Sequence, residues 1–94
     1  MSIELLKASF HHGDDITFVV SSESFKVVHI ASQNNLPTIW YETVKDPFMT
    51  KKVSFKLVRS SCDIPDKSIH VGAAHCNYEE WGGEVVWHIY QLRE

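Results

Sequence analysis

Six histidines in 94 residues are the side chains of this chain best suited to chemistry. Imidazole ligates metals and exchanges protons near neutral pH. His11-His12 beside Asp14 and Asp15 is the most metal-like run. Adjacent strand residues point to opposite faces, so the two rings reach one ion only if the turn at Gly13 bends the backbone between them. The spacing matches no standard zinc pattern, and the run reads as a polar loop. No metal ligand, cofactor or catalytic residue is assigned from the sequence. His75-Cys76, with Cys62 and His70, supplies the residue types of a thiol nucleophile and its base. A working pair also needs hydrogen-bond contact, an orienting group and an oxyanion site. Strand parity puts His70 on the face of Cys76 and away from His75, so Cys76 is expected to be a small packed thiol.

Two further groups suit binding better than catalysis. Trp81 lies in a turn flanked by Glu79, Glu80 and Glu84. A large ring in an acidic rim has the anatomy of an interface anchor, with the charges steering a basic partner; its plainer role is to fold back over the open end of a sheet. The second group is His29, Tyr41, His88 and Tyr90. In a barrel lumen these rings would hold a small polar ligand by stacking and hydrogen bonding. Outside a lumen, His88 is expected to be structural, with a ring nitrogen bonded to the backbone or a polar neighbour.

The elements that must position these residues are strands. Val53, Phe55 and Leu57 alternate with Lys52, Ser54 and Lys56, the period of a half-buried strand, and Ile16, Phe18 and Val20 repeat it. The exposed lysines lack alternating aromatic platforms, so they read as a solvated face. Phe25 to Ser32 and Thr38 to Thr43 flank the turn cluster Gln33-Asn34-Asn35-Leu36-Pro37, which predicts a hairpin. Pro37 belongs in that turn or at the first residue of the returning strand. Asp46-Pro47 predicts a further turn. Ser68 to Cys76 is extended, with Ile69, Val71 and Ala73 on one side, and Gly72 marks a bulge, a bend or a close approach. Glu84 to Leu92 carries large side chains on both faces, implying burial of both. Ile3 to Phe10 leans to strand. The sum is an all-β fold, a small antiparallel sandwich or partly closed barrel of six to seven strands.

Length allows one domain over residues 1–94. Nine basic against twelve acidic residues give a net charge of −3, with 44% hydrophobic and 22% charged residues. That balance excludes disorder and argues against nucleic acid as a direct partner, whose backbone is held through Lys and Arg. No apolar run approaches the roughly 20 residues of a membrane helix, and Met1-Ser2-Ile3-Glu4 lacks the pattern of a secretion signal. A cytoplasmic chain without membrane contact is expected, its two cysteines free thiols.

Gln33 to Trp40, Ile64-Pro65, His70-Val71-Gly72 and Val86-Trp87-His88-Ile89-Tyr90 occur in an order that resembles a family of small uncharacterised bacteriophage and prophage proteins. Its members look like a Gln-then-Trp hairpin, an Ile-Pro turn, a Gly-Thr strand start and a closing Val-Trp-His strand. The resemblance spans most of residues 15 to 90. It departs at Ser60-Ser61-Cys62-Asp63, where such proteins carry Thr-Gly-His, and at Ala73, where Thr follows the glycine; no role is carried over there. The resemblance implies a compact phage-type protein that binds and inhibits a host protein, with an anti-defence, CRISPR-inhibiting role as the leading expectation. Trp81 would be its anchor and Glu79, Glu80 and Glu84 its steering charges. A module that sequesters a small ligand or signalling nucleotide through His29, Tyr41, His88 and Tyr90 is the alternative, and a small metal-dependent enzyme is the third reading. Homo-oligomerisation through exposed sheet edges is compatible with each.

Overall fold

Alternating apolar residues need a second apolar face to cover them, and this chain supplies it by folding into two antiparallel sheets laid face to face. The computed structural model describes residues 3–11, 13–44 and 50–93. Its seven strands are β1 (Ile3–Ser9), β2 (Asp15–Val20), β3 (Phe25–Gln33), β4 (Leu36–Val44), β5 (Lys51–Val58), β6 (Ser68–Tyr78) and β7 (Gly83–Leu92). One sheet has the order β1-β4-β3 and the other β2-β5-β7-β6. The fold is therefore the expected all-β sandwich. Closure into a barrel does not occur, because each sheet keeps two edge strands. Among the described residues, no helix is long and apolar enough to cross a membrane. His12 and the expected Asp46-Pro47 turn lie outside the described residues.

The core forms where the inward sets meet. Phe10, Val20, Ile39, Tyr41, Val53, Phe55, Leu57 and Ile89 make one buried cluster. Packed against it, half-buried Phe18 stacks on Tyr41 from the other sheet at 4.5 Å and on Phe55 at 5.5 Å, and half-buried Phe25 leans on both Tyr41 and Phe55. The inward sets expected for β2 and β5 are those observed. On β7 burial of both faces is only partial, since Ile89 is buried while its neighbours are half-exposed.

The β3–β4 hairpin turns through Asn34 and Asn35, with φ of 52° and 59°. Asparagine tolerates this left-handed pair, and the resulting turn matches strand twist. Pro37 sits one residue further in than expected, as the second residue of β4, paired with Ser32. It is tolerated there because β1 is ending. Phe10 N donates to Pro37 O at 2.9 Å, and Pro37 has no N–H to return, so regular β1–β4 pairing stops at Ser9↔Thr38.

On β6 the sequence pattern breaks. The register against β7 shifts between His70 and Gly72, so His70 lies opposite Tyr90 while Gly72 lies opposite Ile89. This bulge inserts one residue and reverses the parity of everything before it. Gly72 also approaches the other sheet closely, where an added Cβ would stand 2.8 Å from Ile30 Cδ1. Two of the roles expected of this strand glycine, a bulge and a close approach, are met at one position.

Candidate functional site: an aromatic cleft at one end of the sandwich

One end of the sandwich gathers four segments that are far apart in sequence. The β1–β2 connection brings Phe10 and Asp14, the start of β4 just after the hairpin turn brings Leu36 and Pro37, the end of β5 brings Leu57 and Arg59, and the end of β6 with the turn after it brings Tyr78 and Trp81. Trp87 reaches the same place from β7. It stands opposite Ala74, whose methyl group leaves room for an indole on the inner face.

The β6–β7 connection is one turn of 3-10 helix, Glu79–Trp81, closed by Gly82 N donating to Glu79 O at 3.2 Å. Gly82 and Gly83 have φ of 86° and 129°, left-handed values that let the chain reverse directly into β7. Trp81 is thereby held at the rim with 58% of its surface exposed. It is supported from below: the Tyr78 ring lies 5.0 Å away, and Arg59 Cζ lies 5.5 Å from the Trp81 ring and 5.6 Å from the Trp87 ring. The guanidinium thus bridges two indoles, an attraction worth about 0.5–1 kcal/mol per ring at exposed sites. Trp87 Nε1 donates to Tyr78 Oη at 3.2 Å. Burial pushes the Tyr78 phenol above its usual range, and the Trp87 N–H partly opposes this. The phenol therefore remains protonated at neutral pH.

Two hollows flank this aromatic wall. One of about 430 Å³ is mainly apolar, with Phe10, Leu36, Pro37 and Leu57 opposite Tyr78 and the two tryptophans. The other, about 270 Å³, sets Asp14, Lys56, Arg59 and Asp63 beside Leu57, Val58 and the same tryptophans. A third hollow of about 510 Å³ is lined by Glu79 and Glu80 with Asn35, Asn77, Tyr78 and Trp81. Asn35 ties the hairpin turn to this wall, donating to Asn77 O at 2.6 Å and accepting from Asn77 N at 2.7 Å.

The acidic rim expected from the sequence is only partly assembled. Glu79 and Glu80 stand beside Trp81, whereas Glu84 faces out from β7 with its Oε1 3.2 Å from His75 Nδ1. Arg59 carries no mark of a site residue in the sequence. Only the β5–β7 register, which aligns Val58 with His88, reveals that it ends beside Trp87.

The four residues expected to share a lumen do not meet. Tyr41 is buried between the sheets, its phenol raised above the ordinary range by that burial. His29 is on the outer face of the three-stranded sheet, 5.2 Å from the Trp40 ring. His88 and Tyr90 are on the outer face of the four-stranded sheet, joined there by His70. An open sandwich has no lumen to bring these faces together. The expected parity of His70 is likewise corrected: the bulge puts it on the face of His75 and away from buried Cys76. Cys76 Sγ donates to Ser32 Oγ at 3.7 Å, while Cys62 is exposed in the β5–β6 connection, and both are free thiols. No group of three or more His, Cys, Asp or Glu converges among the described residues. Lys52, Ser54 and Lys56 form the expected outward face of β5, with Lys56 Nζ 3.9 Å from Asp14 Oδ2.

Over residues 1–94 the chain matches, and belongs to, the family described as "Domain of unknown function (DUF7352)". Neither the curated proteins nor the solved structures provide a match.

Proposed function

We propose that this domain is a binding protein without catalytic activity, which engages a partner protein through the aromatic end of the sandwich. The observation that carries the reading is a large indole exposed at the rim while fixed from beneath by Tyr78 and Arg59. An anchor already held in place loses little conformational freedom on docking, so more of its burial appears as affinity. Glu79 and Glu80 add negative charge next to it, suited to a partner surface with Lys or Arg around an apolar spot. The resemblance to small phage proteins extends the proposal to inhibition of a host factor, a component of a defence system, by occupying its working surface.

Trp81→Ala tests the reading. Proteins captured by the wild-type chain from a host lysate are identified, and the affinity of one purified partner is measured for both forms. An anchor of this kind is worth about 2 kcal/mol or more, a loss of roughly thirtyfold in affinity. Because Trp81 is mostly exposed, its removal is expected to shift the melting temperature by only a few degrees. Unchanged affinity, or a collapse in stability, would assign Trp81 to the scaffold and sink the proposal.

A further inference from the structure

The outer face of the four-stranded sheet holds a second constellation, separate from the aromatic cleft. The β6 bulge places His70 opposite Tyr90, so its ring is diagonal to His88 on β7. His70 Nε2 and His88 Nδ1 stand 3.0 Å apart. With both rings neutral this is a hydrogen bond in which one nitrogen carries the proton and the other accepts it. The same separation suits another partner.

Imidazole nitrogens bind first-row divalent metals at about 2.0–2.1 Å. Two such nitrogens 3.0 Å apart subtend an angle of about 91–97° at a shared ion. A tetrahedral angle at the same bond length needs about 3.3–3.4 Å between them. The spacing is therefore that of adjacent corners of a square or octahedron, the preference of Cu(II) and Ni(II).

We propose that His70 Nε2 and His88 Nδ1 form a two-imidazole site for a tetragonal divalent cation, Cu(II) most tightly and Ni(II) next, with water in the remaining positions. The order follows the general ranking of divalent metals at nitrogen sites. Both rings stand on paired strands, which hold them closer to the required geometry than loops would. The Tyr90 ring sits edge-on to His70 at 5.2 Å and limits its rotation. Ala73, opposite His88, leaves space above the sheet for the ion and its waters. The charged groups on this face are Lys56, which lies opposite both Tyr90 and Asp15 and is ion-paired with Asp14, Lys52 further along β5, and the His75–Glu84 pair further along β7. The proton shared in the metal-free pair moves to the outer nitrogen of its own ring, so a neutral pair binds the ion with no net proton release.

The experiment titrates the full chain with Cu(II), and in parallel with Ni(II), by calorimetry, with the copper form read by electron paramagnetic resonance. The wild-type chain should take one Cu(II) with two-nitrogen hyperfine structure, and saturation should raise its melting temperature by several degrees. His70→Gln and His88→Gln should each weaken binding by about tenfold or more and abolish the temperature rise. His75→Gln, on the same face, should leave both unchanged. Metal-free melting curves for the two Gln variants verify that the fold is retained. Absence of one-to-one binding, or binding that survives both substitutions and so belongs to another donor such as His11-His12, overturns the proposal.

Discussion

Replacing Gly72 with alanine adds one methyl group at a close approach between the sheets. The new Cβ would lie 2.8 Å from Ile30 Cδ1, 3.2 Å from its Cβ and 3.4 Å from its Cγ1. The Cδ1 clash can be relieved by rotating the end of the Ile30 side chain, at roughly 0.5–1.5 kcal/mol for a strained rotamer. The Cβ contact cannot, because that atom moves only with the β3 backbone. Overpacking of this kind costs about 1–3 kcal/mol, and restricting the unfolded chain by Gly→Ala returns about 0.4–1 kcal/mol. The net expectation is a loss of about 1–2 kcal/mol, or roughly 5–15 °C in melting temperature for a domain of this size. Urea unfolding followed by tryptophan fluorescence measures it. Ile30→Val supplies the control, since it removes Cδ1. Alone it should cost about 0.5–1.5 kcal/mol, but combined with Gly72→Ala it should cost less than the sum by at least about 0.5 kcal/mol. A Gly72→Ala protein as stable as wild type, or strictly additive costs, would refute the steric argument.

Two other perturbations probe buried polar groups. Thr43 Oγ1 is fully buried, accepts from Ser21 N at 3.0 Å and donates to Ser24 O at 2.8 Å, bracketing the β2–β3 connection. Thr43→Val should therefore lower unfolding free energy by about 2–3 kcal/mol, whereas Thr43→Ser, which keeps the hydroxyl, should lose only about 1 kcal/mol; equal losses in urea titrations would show the hydroxyl to be irrelevant. Burial raises the Tyr41 phenol, so above about pH 10 the unfolded chain releases this proton more readily than the folded one. The unfolded state then binds fewer protons, and stability must fall as pH rises from about 10; Tyr41→Phe should flatten that decline, and an unchanged slope between pH 9 and 11 would contradict the assignment.

The parts of the fold legible in the sequence are those where one residue type answers one local demand. Ile16, Phe18 and Val20, or Val53, Phe55 and Leu57, alternate with polar residues, and a half-buried strand is the only regular element with that period. Asn34-Asn35 marks a turn because few other pairs accept two left-handed residues in succession. Gly72 announced some irregularity. Its consequence was hidden, since a bulge changes the face of the residues before it without changing their identity. Ile69, Val71 and Ala73 alternate in sequence, yet Ala73 ends opposite outward-facing His88.

The candidate site was less legible because it depends on which strands pair and on which face each residue takes. On β7 both parities carry large rings, so the sequence could not say whether Trp87 and Ile89 or His88 and Tyr90 face inward. Pairing decides it: Leu57 opposite Ile89 brings Trp87 inside, and His88 and Tyr90 are left outside. That one choice dissolves the supposed lumen, frees His88 to meet His70, and brings Trp87 under the turn that carries Trp81. Arg59 then acquires its place as the residue that follows β5, where its guanidinium can lie against both indoles. The cleft and the histidine pair are thus two outcomes of the same β7 orientation, one on each side of the sheet. A substitution that flipped or slipped β7 by one residue would abolish both together, whereas Trp81→Ala and His70→Gln should each affect only one.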